Sequence, residues 1–397
     1  MAKGKHSASV DVFSSTKKKR KYSKKQNNTK IDILLKILFF IECIILISSV
    51  IYIASMQLLP IKYIVVLIVI VSLICGLQAF LKLSNKKKNV MRIISLVLTI
   101  LVVAGTFWGT GLLNTLYGSF QDFTNDEEVE ANVVDVTDES FFVYVSGVDT
   151  RNTNGITDKG LSDVNMVIAV DPVNKKILMI NTPRDFYVGL YGDENKLDKL
   201  THAGKYGIDC SMETVAAIYD IEFNYYVKAN FKALVDLVDA VGDISVDSQY
   251  NFSSGHSLSG KTYRFKKGIN VLDGDAALAF ARERKSFANG DRQRGIHQQM
   301  VISAIIDKAI SPAILTNFKD ILDAVTDNTR TNIKSDDITS LVRMQLGDMS
   351  SWDIQSMSVD GTGTQRYTYS YPKQKLYVML PNDETIEEAK LALEAYK

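Results

Sequence analysis

A short stretch of the chain, FARERKSFANGDRQRGIHQQ, concentrates side chains that bind anions. Arg282, Arg284 and Arg294 lie within it beside only two carboxylates, Glu283 and Asp291, although the formal net charge of the 397 residues is +1. Guanidinium groups stay charged and can hold two phosphate oxygens at once, which suits a pyrophosphate. The alternative is a solvated charged surface, because arginine and lysine are mostly exposed in proteins.

The spacing of these residues predicts how they are arranged. If the segment from about residue 290 is helical, Asp291, Arg294 and Gln298 occupy one stripe of that helix. Arg282 and Arg284 differ by two positions, so they share a face only where the backbone is extended, just past a helix end. In that arrangement both arginines could reach one ligand near the Asp291 stripe.

Polar motifs at the ends of predicted strands supply further candidates. GVDTR places Asp149 after a strand, LSDVNM places Asp163 before one, and NTPRDF places Arg184 after another. Loops at strand ends hold ligands in α/β sheets. Two carboxylates can hold Mg²⁺ when substrate phosphates complete its coordination shell. Each aspartate could instead cap a helix or a turn.

The elements that must position these residues alternate between strands and helices. FFVYVSGVD predicts one strand, and MVIAVDPVNKKILMIN predicts two strands joined by a turn at DPVN. NFKALVDLVDAVG has apolar residues at helical spacing, with Asn230 as its cap and Gly242 at its end. LDGDAALAFARER and GIHQQMVISAIIDKAI predict two more helices. This alternation predicts an α/β sheet with helices on its faces.

The region after about Ser311 is less informative. DILDAVTDNTRTNIKSDDITSLVRMQ predicts helices, and the tyrosine-rich RYTYSYPKQKLYVMLP predicts one closing strand. We assign both segments to the scaffold of the same domain.

The first 114 residues predict a membrane anchor. Apolar blocks at about 33–56, 61–83 and 90–113 are each long enough to cross a hydrocarbon core, which takes about 20 helical residues. The tail of residues 1–31 contains ten Lys and Arg residues, and the link SNKKKNVMR is also basic. Positive charge marks cytoplasmic segments, so three crossings place the C-terminal domain outside the cell. Two spans with one buried helix is the alternative.

Three other signals favour simpler interpretations. The basic tail fits membrane topology and anionic lipid head groups better than nucleic-acid binding. Cys210 is the only cysteine outside the predicted spans, so it lacks a disulfide partner, and no His partner for nucleophilic catalysis is evident. GHSLSGKT matches the P-loop pattern, but its flanks alternate like strands, which predicts a hairpin.

The motifs together resemble the LytR-CpsA-Psr family of cell-wall glycopolymer ligases. They occur in the family's order between about residues 141 and 309: GVDTR, SDVNM, PRD, KLTHAGKYG, NYYVKANFKALVDLVDAVG, LDGDAALAFARER and GDRQRGIHQQ. The sequences of these motifs most resemble those of the streptococcal capsule-associated branch of the family. Its accessory domain looks absent here, because only a linker at 115–140 separates the last span from the ligase core at 141–310 and its C-terminal part at 311–397.

The resemblance implies both a fold and an activity. The implied fold is an α-β-α domain with a mixed central sheet. The implied enzyme is a phosphotransferase on the outer face of a Gram-positive cell membrane. It moves an anionic glycopolymer from an undecaprenyl pyrophosphate carrier to peptidoglycan as a phosphodiester, with Mg²⁺ or Mn²⁺. The polymer, the acceptor hydroxyl and the oligomeric state stay open.

The resemblance also assigns roles to residues. Asp149 and Asp163 match the family's metal and pyrophosphate-site aspartates, and either is conceivable as the base. The remaining polar positions of the site match Arg184, Arg282, Arg284, Asp291, Arg294 and Gln298, with Lys199 as a weaker match. Asp149, Asp163, Arg184 and Arg284 are the predicted catalytic residues. The helix bearing Phe231, Leu234 and Val238 is a candidate wall of the family's apolar tunnel for the lipid, although core packing also explains these residues.

Some positions depart from the family pattern. Leu161 and His297 stand where Arg is common, Val164 where Thr is common, and Asp243 where Gly is common. A charged His297 could partly restore phosphate affinity at acidic pH; a plain surface histidine is the simpler interpretation. A lipid-pyrophosphate hydrolase, a wall-binding scaffold and a non-enzymatic regulator of polysaccharide synthesis are the competing functions.

Overall fold

The computed structural model describes residues 8–83, 88–122, 134–149, 156, 159–311, 321 and 328–397, with side chains described from residue 31 onward. The chain divides into two compact units, residues 1–114 and 115–397. Each unit is described by itself.

The first unit is built from long helices. They are α1 (Ala8–Ser55), α2 (Ile61–Leu83) and α3 (Lys88–Asp122), of which the last runs past residue 114. Within them, Ile31–Ser55, Ile61–Lys82 and Asn89–Thr115 are long and apolar enough to cross a membrane. Most of their large apolar side chains are exposed, as expected for surfaces that face lipid.

A polar network joins the three helices of this unit. Thr99 Oγ1 donates to Glu42 Oε2 at 2.7 Å, and Ser95 Oγ donates to Gln78 Oε1 at 2.7 Å. Gln78 Nε2 also donates to Thr99 Oγ1 at 3.0 Å, and Glu42, Gln78 and Ser95 are at most 1% exposed. Because polar groups are costly in hydrocarbon unless paired, this network restricts how the helices can rotate against one another.

The second unit alternates strands and helices. In chain order its elements are β1 (Phe141–Val148), β2 (Ser162–Asp171), β3 (Lys176–Asn181), β4 (Tyr187–Leu190), β5 (Asp193–Lys199), α4 (Leu200–Ala203), α5 (Ile208–Tyr219), β6 (Tyr225–Asn230), α6 (Phe231–Val241), β7 (Ile244–Ser248), β8 (Phe252–Ser254), β9 (Tyr263–Phe265), β10 (Gly268–Leu272), α7 (Gly274–Arg282), α8 (Gly290–Ala309), β11 (Thr329–Thr331), α9 (Ser335–Asp348), β12 (Asp353–Ser358), β13 (Gly361–Thr368), β14 (Tyr371–Pro381) and α10 (Asp383–Glu394).

Six of these strands form a central mixed sheet in the order β11-β6-β1-β2-β3-β12. β1 is antiparallel to β2 and parallel to β6, while β3 is antiparallel to β2 and parallel to β12. The predicted turn between β2 and β3 is confirmed, and Asp171 Oδ1 accepts a hydrogen bond from Asn174 N at 2.9 Å within it. The predicted mixed α/β class is therefore confirmed.

Helices cover both faces of the sheet. On one face, Tyr219 of α5 and Leu393 of α10 pack in a core with Tyr144 of β1. On the other face, Ile302 of α8 packs against Met179 of β3. A further core joins α6, α7 and α8 to the β7–β10 region. The sheet is thus buried on two sides, as the prediction of flanking helices requires.

Two predictions for the C-terminal region are wrong in detail. Thr329–Thr331, expected within a helix, forms β11, which pairs antiparallel with β6. Two β-branched threonines suit a strand, and an available sheet edge overrides a weak local preference. The tyrosine-rich segment forms two strands rather than one, because β13 and β14 turn back on each other between Thr368 and Tyr371.

Candidate phosphate-binding site

The arginine stretch begins where α7 ends. α7 ends at Arg282, and Glu283 has extended backbone with φ −69° and ψ 129°. Extended backbone places Arg282 and Arg284 on the same side of the chain. Glu283 points away from them, is 4% exposed and accepts a hydrogen bond from Ser286 N at 3.0 Å. The structure therefore has the extended turn that a shared arginine face requires.

The first two turns of α8 add a third arginine of the predicted site and a carboxylate. Arg294 forms an ion pair with Asp291 Oδ1 at 2.9 Å, and Arg284 lies 4.0 Å from the same oxygen. The connection between the helices is tight, because a Cβ atom on Gly290 would lie 2.1 Å from the carbonyl oxygen of Arg284. Asp291 thus lies between two arginines that approach it from different elements.

Residues at the ends of β2 and β3 complete the charged group. Arg184, just past β3, reaches Asp163 of β2 at 2.6 Å. Its neighbour Asp185 is 6% exposed and forms an ion pair with Lys199, while Arg184 Nε lies 3.9 Å from Asp185. Antiparallel pairing of β2 and β3 brings Asp163 and Arg184 together despite 21 residues of separation.

These side chains form one cluster, which we call the charge cluster. It consists of Asp163, Arg184, Asp185, Lys199, Arg284, Asp291 and Arg294. The charges of Asp163 and Asp291 act on Arg184, and those of Arg184 and Arg284 act on Arg294. The cluster therefore brings Asp163, Arg184 and Lys199 together with Arg284, Asp291 and Arg294 of the arginine stretch, whereas the predicted Arg282 and Asp149 pair with each other outside it; the roles of these residues in binding and catalysis stay predictions.

Burial and neighbouring charges act against each other on the two inner arginines. Burial lowers the pKa of Arg294 and Asp291 raises it, with burial dominating. Burial also lowers the pKa of Arg184, but the carboxylates of Asp163, Asp185 and Asp291 together more than offset this, so the pKa rises. Both guanidinium groups remain charged at neutral pH. Arg184 Nε is buried without a hydrogen-bond partner among the described residues, and the nearby Asp185 carboxylate, at 3.9 Å, partly compensates its charge.

A further ion pair, between Arg282 and Asp149, lies beside an apolar cavity. Arg282 lies 3.4 Å from Asp149 Oδ2, and its guanidinium carbon is 4.1 Å from the centre of the Phe231 ring. The cavity holds about 100 Å³ and is lined almost entirely by apolar atoms. Its walls are Val145, Ser146, Gly147, Val164, Ala229, Asn230, Phe231, Leu234, Leu278, Ala281, Arg282, Gln298, Val301 and Ile302. The cavity is thus apolar, and one of its lining residues, Arg282, carries the ion pair to Asp149.

Gln298 lies on α8, where helical spacing predicts one stripe with Asp291 and Arg294, and it also lines the cavity. Two other sequence predictions need correction here. Phe231 and Leu234 line the cavity, but Val238 is fully buried in the α6–α8 core and does not. His297 is 1% exposed rather than at the surface, between the rings of Phe252 and Phe280, and burial lowers its pKa to about 4. It therefore stays neutral and adds no charge to the site.

Some supporting residues were not predicted. Asp185 belongs to the PRD motif, but the motif does not indicate that this carboxylate holds Lys199 in the cluster. Gln299 is 3% exposed and donates to the carbonyl oxygens of Met179 and Met357, which ties α8 to β3 and β12. No local signal identifies Gln299, because its partners are backbone atoms distant in sequence. Arg151 of GVDTR lies outside the described residues.

The carboxylates can be tested as ligands for a divalent cation. Asp149 and Asp163 offer oxygen atoms, the donors that Mg²⁺ prefers. Among the described residues, no group of three or more His, Cys, Asp or Glu side chains could hold a metal ion. The chemistry of the donors therefore fits Mg²⁺ only if phosphate oxygens of a substrate supply much of the coordination shell.

The P-loop-like segment has another partner. It lies between the antiparallel strands β8 and β9, as predicted. The backbone N–H groups of Leu258 and Ser259 donate to Asp275 Oδ1 at 2.7 and 3.2 Å. A carboxylate of the protein therefore accepts the amide hydrogen bonds that a phosphate would need.

Comparison with known sequences identifies relatives for the second unit. A sequence profile of the LytR_cpsA_psr family matches residues 114–385. The polyisoprenyl-teichoic acid–peptidoglycan teichoic acid transferase TagU of Bacillus cereus is 33% identical over 258 residues, which are 63% of this chain and 81% of TagU. The TagU of Enterococcus faecalis is 34% identical over 239 residues, 59% of this chain and 75% of that protein.

Solved structures give the same result. Bacillus subtilis TagV superimposes with a TM-score of 0.54 at 30% identity, covering 65% of this chain and 97% of TagV. A structure described as TagT bound to LI-WTA superimposes with a TM-score of 0.53 at 27% identity, covering 69% of this chain and 98% of TagT. The matched parts are almost the whole of both solved chains.

Proposed function

This chain belongs to the LytR-CpsA-Psr family, and from that premise we propose that it transfers an anionic glycopolymer from an undecaprenyl pyrophosphate carrier to peptidoglycan. The oxygen of an acceptor hydroxyl attacks the phosphorus that carries the glycan. The bridging P–O bond breaks, and undecaprenyl phosphate leaves. The product is a phosphodiester between glycan and peptidoglycan. The names of the TagU relatives, transferases that join teichoic acid to peptidoglycan, support this reaction class.

One observation carries the proposal: the domain has a charge cluster and an apolar cavity, and Arg282, which pairs with Asp149, lines that cavity. A lipid pyrophosphate has the same two-part chemistry, a doubly charged head and a hydrocarbon tail. Val164 lines the cavity directly after Asp163, and Gln298 lines it one turn after Arg294. Both neighbours place the cavity next to the charge cluster.

The balance of charge supports a bound cation. The charge cluster and the Arg282–Asp149 pair together hold five cationic and four anionic side chains, so they are nearly neutral without a ligand. Each carboxylate in these pairs competes with phosphate for an arginine. A Mg²⁺ ion held by Asp149 and Asp163 would engage two of these carboxylates and stabilise charge on the pyrophosphate.

The residues of the chain would act mainly by positioning and electrostatics. Arg184, Arg284 and Arg294 would donate hydrogen bonds to phosphate oxygens, which stabilises the charge that develops as the bridging bond breaks. Lys199 would hold Asp185 so that Arg184 stays aimed at the ligand. The proton of the acceptor hydroxyl would pass to Asp163 or Asp149, whichever has a carboxylate oxygen not engaged by the cation.

The cavity has to widen to hold a long lipid. Pockets for drug-sized ligands measure roughly 300–1,000 Å³, whereas this cavity holds about 100 Å³. Phe231 and Leu234 lie on α6, whose inner residues pack against α7 and α8. A small outward shift of α6 or of its side chains would admit the first isoprenoid units.

The proposal is tested with the full-length protein in detergent. The donor is a radiolabelled polyprenyl-pyrophosphate glycan, the acceptor is purified peptidoglycan fragments, and Mg²⁺ is present or removed with EDTA. We expect label on peptidoglycan only with Mg²⁺. Asp163→Asn and Arg184→Gln should each lower the rate by about 10² or more, the usual cost of losing such a group.

Matched controls are exposed residues of the same type on other elements. Asp247→Asn on β7 and Arg264→Gln on β9 should transfer at the parent rate. Release of phosphorylated glycan without attachment to peptidoglycan would show that the protein is a hydrolase and not a transferase. If no metal-dependent turnover occurs with a competent donor and acceptor, the result would favour a wall-binding scaffold.

A further inference from the structure

The outward face of the β13–β14 hairpin has an unusual composition. Antiparallel pairing sets Gln365 beside Tyr377 and Tyr367 beside Lys375, and such partners share one face of a hairpin. Val378, which alternates with them, is fully buried against the domain. We call Gln365, Tyr367, Lys375 and Tyr377, with Tyr369 and Tyr371 at the tip, the hairpin face.

The rings of this face are exposed although they are large. Tyr367, Tyr369 and Tyr377 are 54%, 49% and 47% exposed. The row of rings continues onto neighbouring elements, because Tyr206 lies 6.4 Å from Tyr369 and 6.2 Å from Tyr191, measured between ring centres. Contiguous exposed aromatic surface of this kind marks a binding surface more often than an isolated ring does.

The hairpin is also positively charged. Residues 361–381 include Arg366, Lys373 and Lys375 and no Asp or Glu. Lys375 lies 5.6 Å from the Tyr367 ring centre, and Lys205 lies 4.2 Å from that of Tyr371. In the part of the chain that the structure describes, these four cations form no ion pair with a carboxylate. Their charge is therefore available to a ligand.

The hairpin is fixed in place next to the charge cluster. Met379 N donates to the carbonyl oxygen of Asp185 at 2.7 Å, which ties β14 to the cluster. Ser370 N donates to the buried Asp198 at 2.8 Å, and Tyr187 Oη donates to the carbonyl oxygen of Tyr367 at 2.9 Å. A face held at both ends is arranged before any ligand binds, which lowers the entropy cost of binding.

We propose that the hairpin face binds the phosphate-bearing glycan chain of the donor, extending the substrate site away from the charge cluster. This inference rests on the proposed transferase function. Aromatic rings offer flat apolar surfaces with a polar edge, which suit the C–H faces of sugar rings, and ammonium groups pair with phosphates. Lys375 and Lys205 each lie beside a ring of this face, so one surface offers both stacking and charge to a polymer of sugars and phosphates.

A membrane surface fits the hairpin face less well. Protein surfaces that insert into lipid use Trp, Phe and Leu beside basic residues. The tip, residues 367–375, has the sequence YTYSYPKQK and none of these three residue types. Tyrosine hydroxyls and lysines without an inserting side chain favour a hydrated polyanionic glycan.

The test measures binding of lipid-free polymer to the full-length protein in detergent. The probe is poly(N-acetylglucosamine 1-phosphate), compared with dextran, which has sugar rings without charge, and with inorganic polyphosphate, which has charge without sugar rings. We expect the probe to bind more tightly than either. The double variant Tyr367→Ala/Tyr369→Ala should raise its Kd roughly tenfold, the effect of losing two aromatic contacts, and Lys375→Gln should reduce the dependence of Kd on salt.

Controls separate this proposal from its alternatives. Tyr250→Ala removes an exposed tyrosine that packs beside Phe287 instead of on the hairpin, and it should bind the probe like the parent. Equal affinity of parent and double variant for the probe would overturn the proposal. So would a double variant that loses only binding to phosphatidylglycerol vesicles, because the face would then contact the membrane.

A second readout distinguishes this proposal from the proposed function. The parent is given lipid-pyrophosphate donors with either one disaccharide or a long polymer, and the ratio of the two transfer rates is compared with that of the double variant. A lower long-to-short ratio in the variant supports a glycan site beyond the pyrophosphate. No transfer from either donor by the parent would refute the transferase, while polymer binding would still test the hairpin face.

Discussion

Two arginines near the start of α8 have similar exposure and different neighbours. The side chain of Arg284 is 45% exposed and lies 4.0 Å from Asp291 in the charge cluster. The side chain of Arg292 is 54% exposed and reaches Asp360 at 3.0 Å, outside the cluster. Residue type and exposure do not distinguish the two arginines. Their ion-pair partners do, because only Arg284 shares a carboxylate with Arg294.

We therefore expect Arg284→Gln and Arg292→Gln to have different effects. The first should lower the transfer rate by about 10² by removing a phosphate-binding donor. The second should leave the rate unchanged, and both should alter the free energy of unfolding by less than about 1 kcal/mol, as for exposed ion pairs. Transfer assays and urea titrations check this; equal losses of activity would place the site elsewhere.

His297 illustrates how burial changes the role of a titratable residue. Its ring packs against Phe252, Phe280 and Phe287, and Nδ1 lies 3.2 Å from the carbonyl oxygen of Phe280. Burial lowers its pKa from 6.5 to about 4, so the folded protein disfavours the protonated form. Its contribution to stability is complete above pH 6.5 and is lost as the pH falls toward 4.

A stability measurement over this pH range tests that conclusion. Between pH 7 and pH 4 the His297 term should reduce the free energy of unfolding by roughly 3 kcal/mol. His297→Gln, which does not titrate, should be less stable at pH 7 but lose less stability on acidification. Urea titrations of parent and variant at several pH values give the difference; parallel curves would show that His297 titrates normally.

Among the helices, α8 contributes residues to both the charge cluster and the cavity wall, so its position is tightly constrained. It carries Asp291 and Arg294 into the charge cluster and Gln298 into the cavity wall. It can approach the sheet this closely because Gly295 has no side chain: a Cβ atom there would lie 2.2 Å from Asn181 Nδ2. Asn181 is itself buried at the end of β3, so it has little room to move.

Gly295→Ala and Gly347→Ala form a matched pair of helical substitutions. The first should cost about 1–3 kcal/mol of stability through overpacking and should also lower transfer, because α8 shifts the charged residues. The second lies on α9, where the added carbon would have no atom of the described residues within 4 Å apart from its own helix backbone and chain neighbours. It should stabilise by up to about 1 kcal/mol. Thermal unfolding and transfer assays check both, and an unchanged Gly295→Ala variant would contradict the close packing.

At the scale of the whole molecule, the membrane helices and the second unit are separate structures. Basic residues precede the first span and lie between the second and third, which favours a cytoplasmic tail and an external second unit. The proposed function needs this orientation, because peptidoglycan lies outside the membrane.

Cysteine labelling in intact cells tests the orientation. Leu391→Cys places a thiol on α10 at a position that is 75% exposed, and Ser14→Cys places one in the tail. A membrane-impermeant maleimide should label the first and label the second only after permeabilisation. The native background is expected to be low, since Cys210 is buried and Cys43 and Cys75 lie within the spans. The reverse pattern would invert the topology.

Features that depend on local pattern were predictable from the sequence. The length of the apolar blocks predicted the helices long enough to span a membrane, helical periodicity predicted α6 with its Asn230 cap, and the DPVN turn predicted the β2–β3 hairpin. The backbone after Arg282 stayed open between a continuing helix and an extended turn, and the structure has the extended turn. Motif order then identified the family.

Only the tertiary structure decided which side chains meet and which are buried. Asp185, Gln299 and the hairpin face depend on partners more than a hundred residues away, such as Met379 for Asp185 and Met179 for Gln299. His297 and Val238 were misjudged because helical spacing gives the face of a residue but not what packs against that face. Burial, and with it pKa and function, is a property of packing between distant segments, and no local pattern determines it.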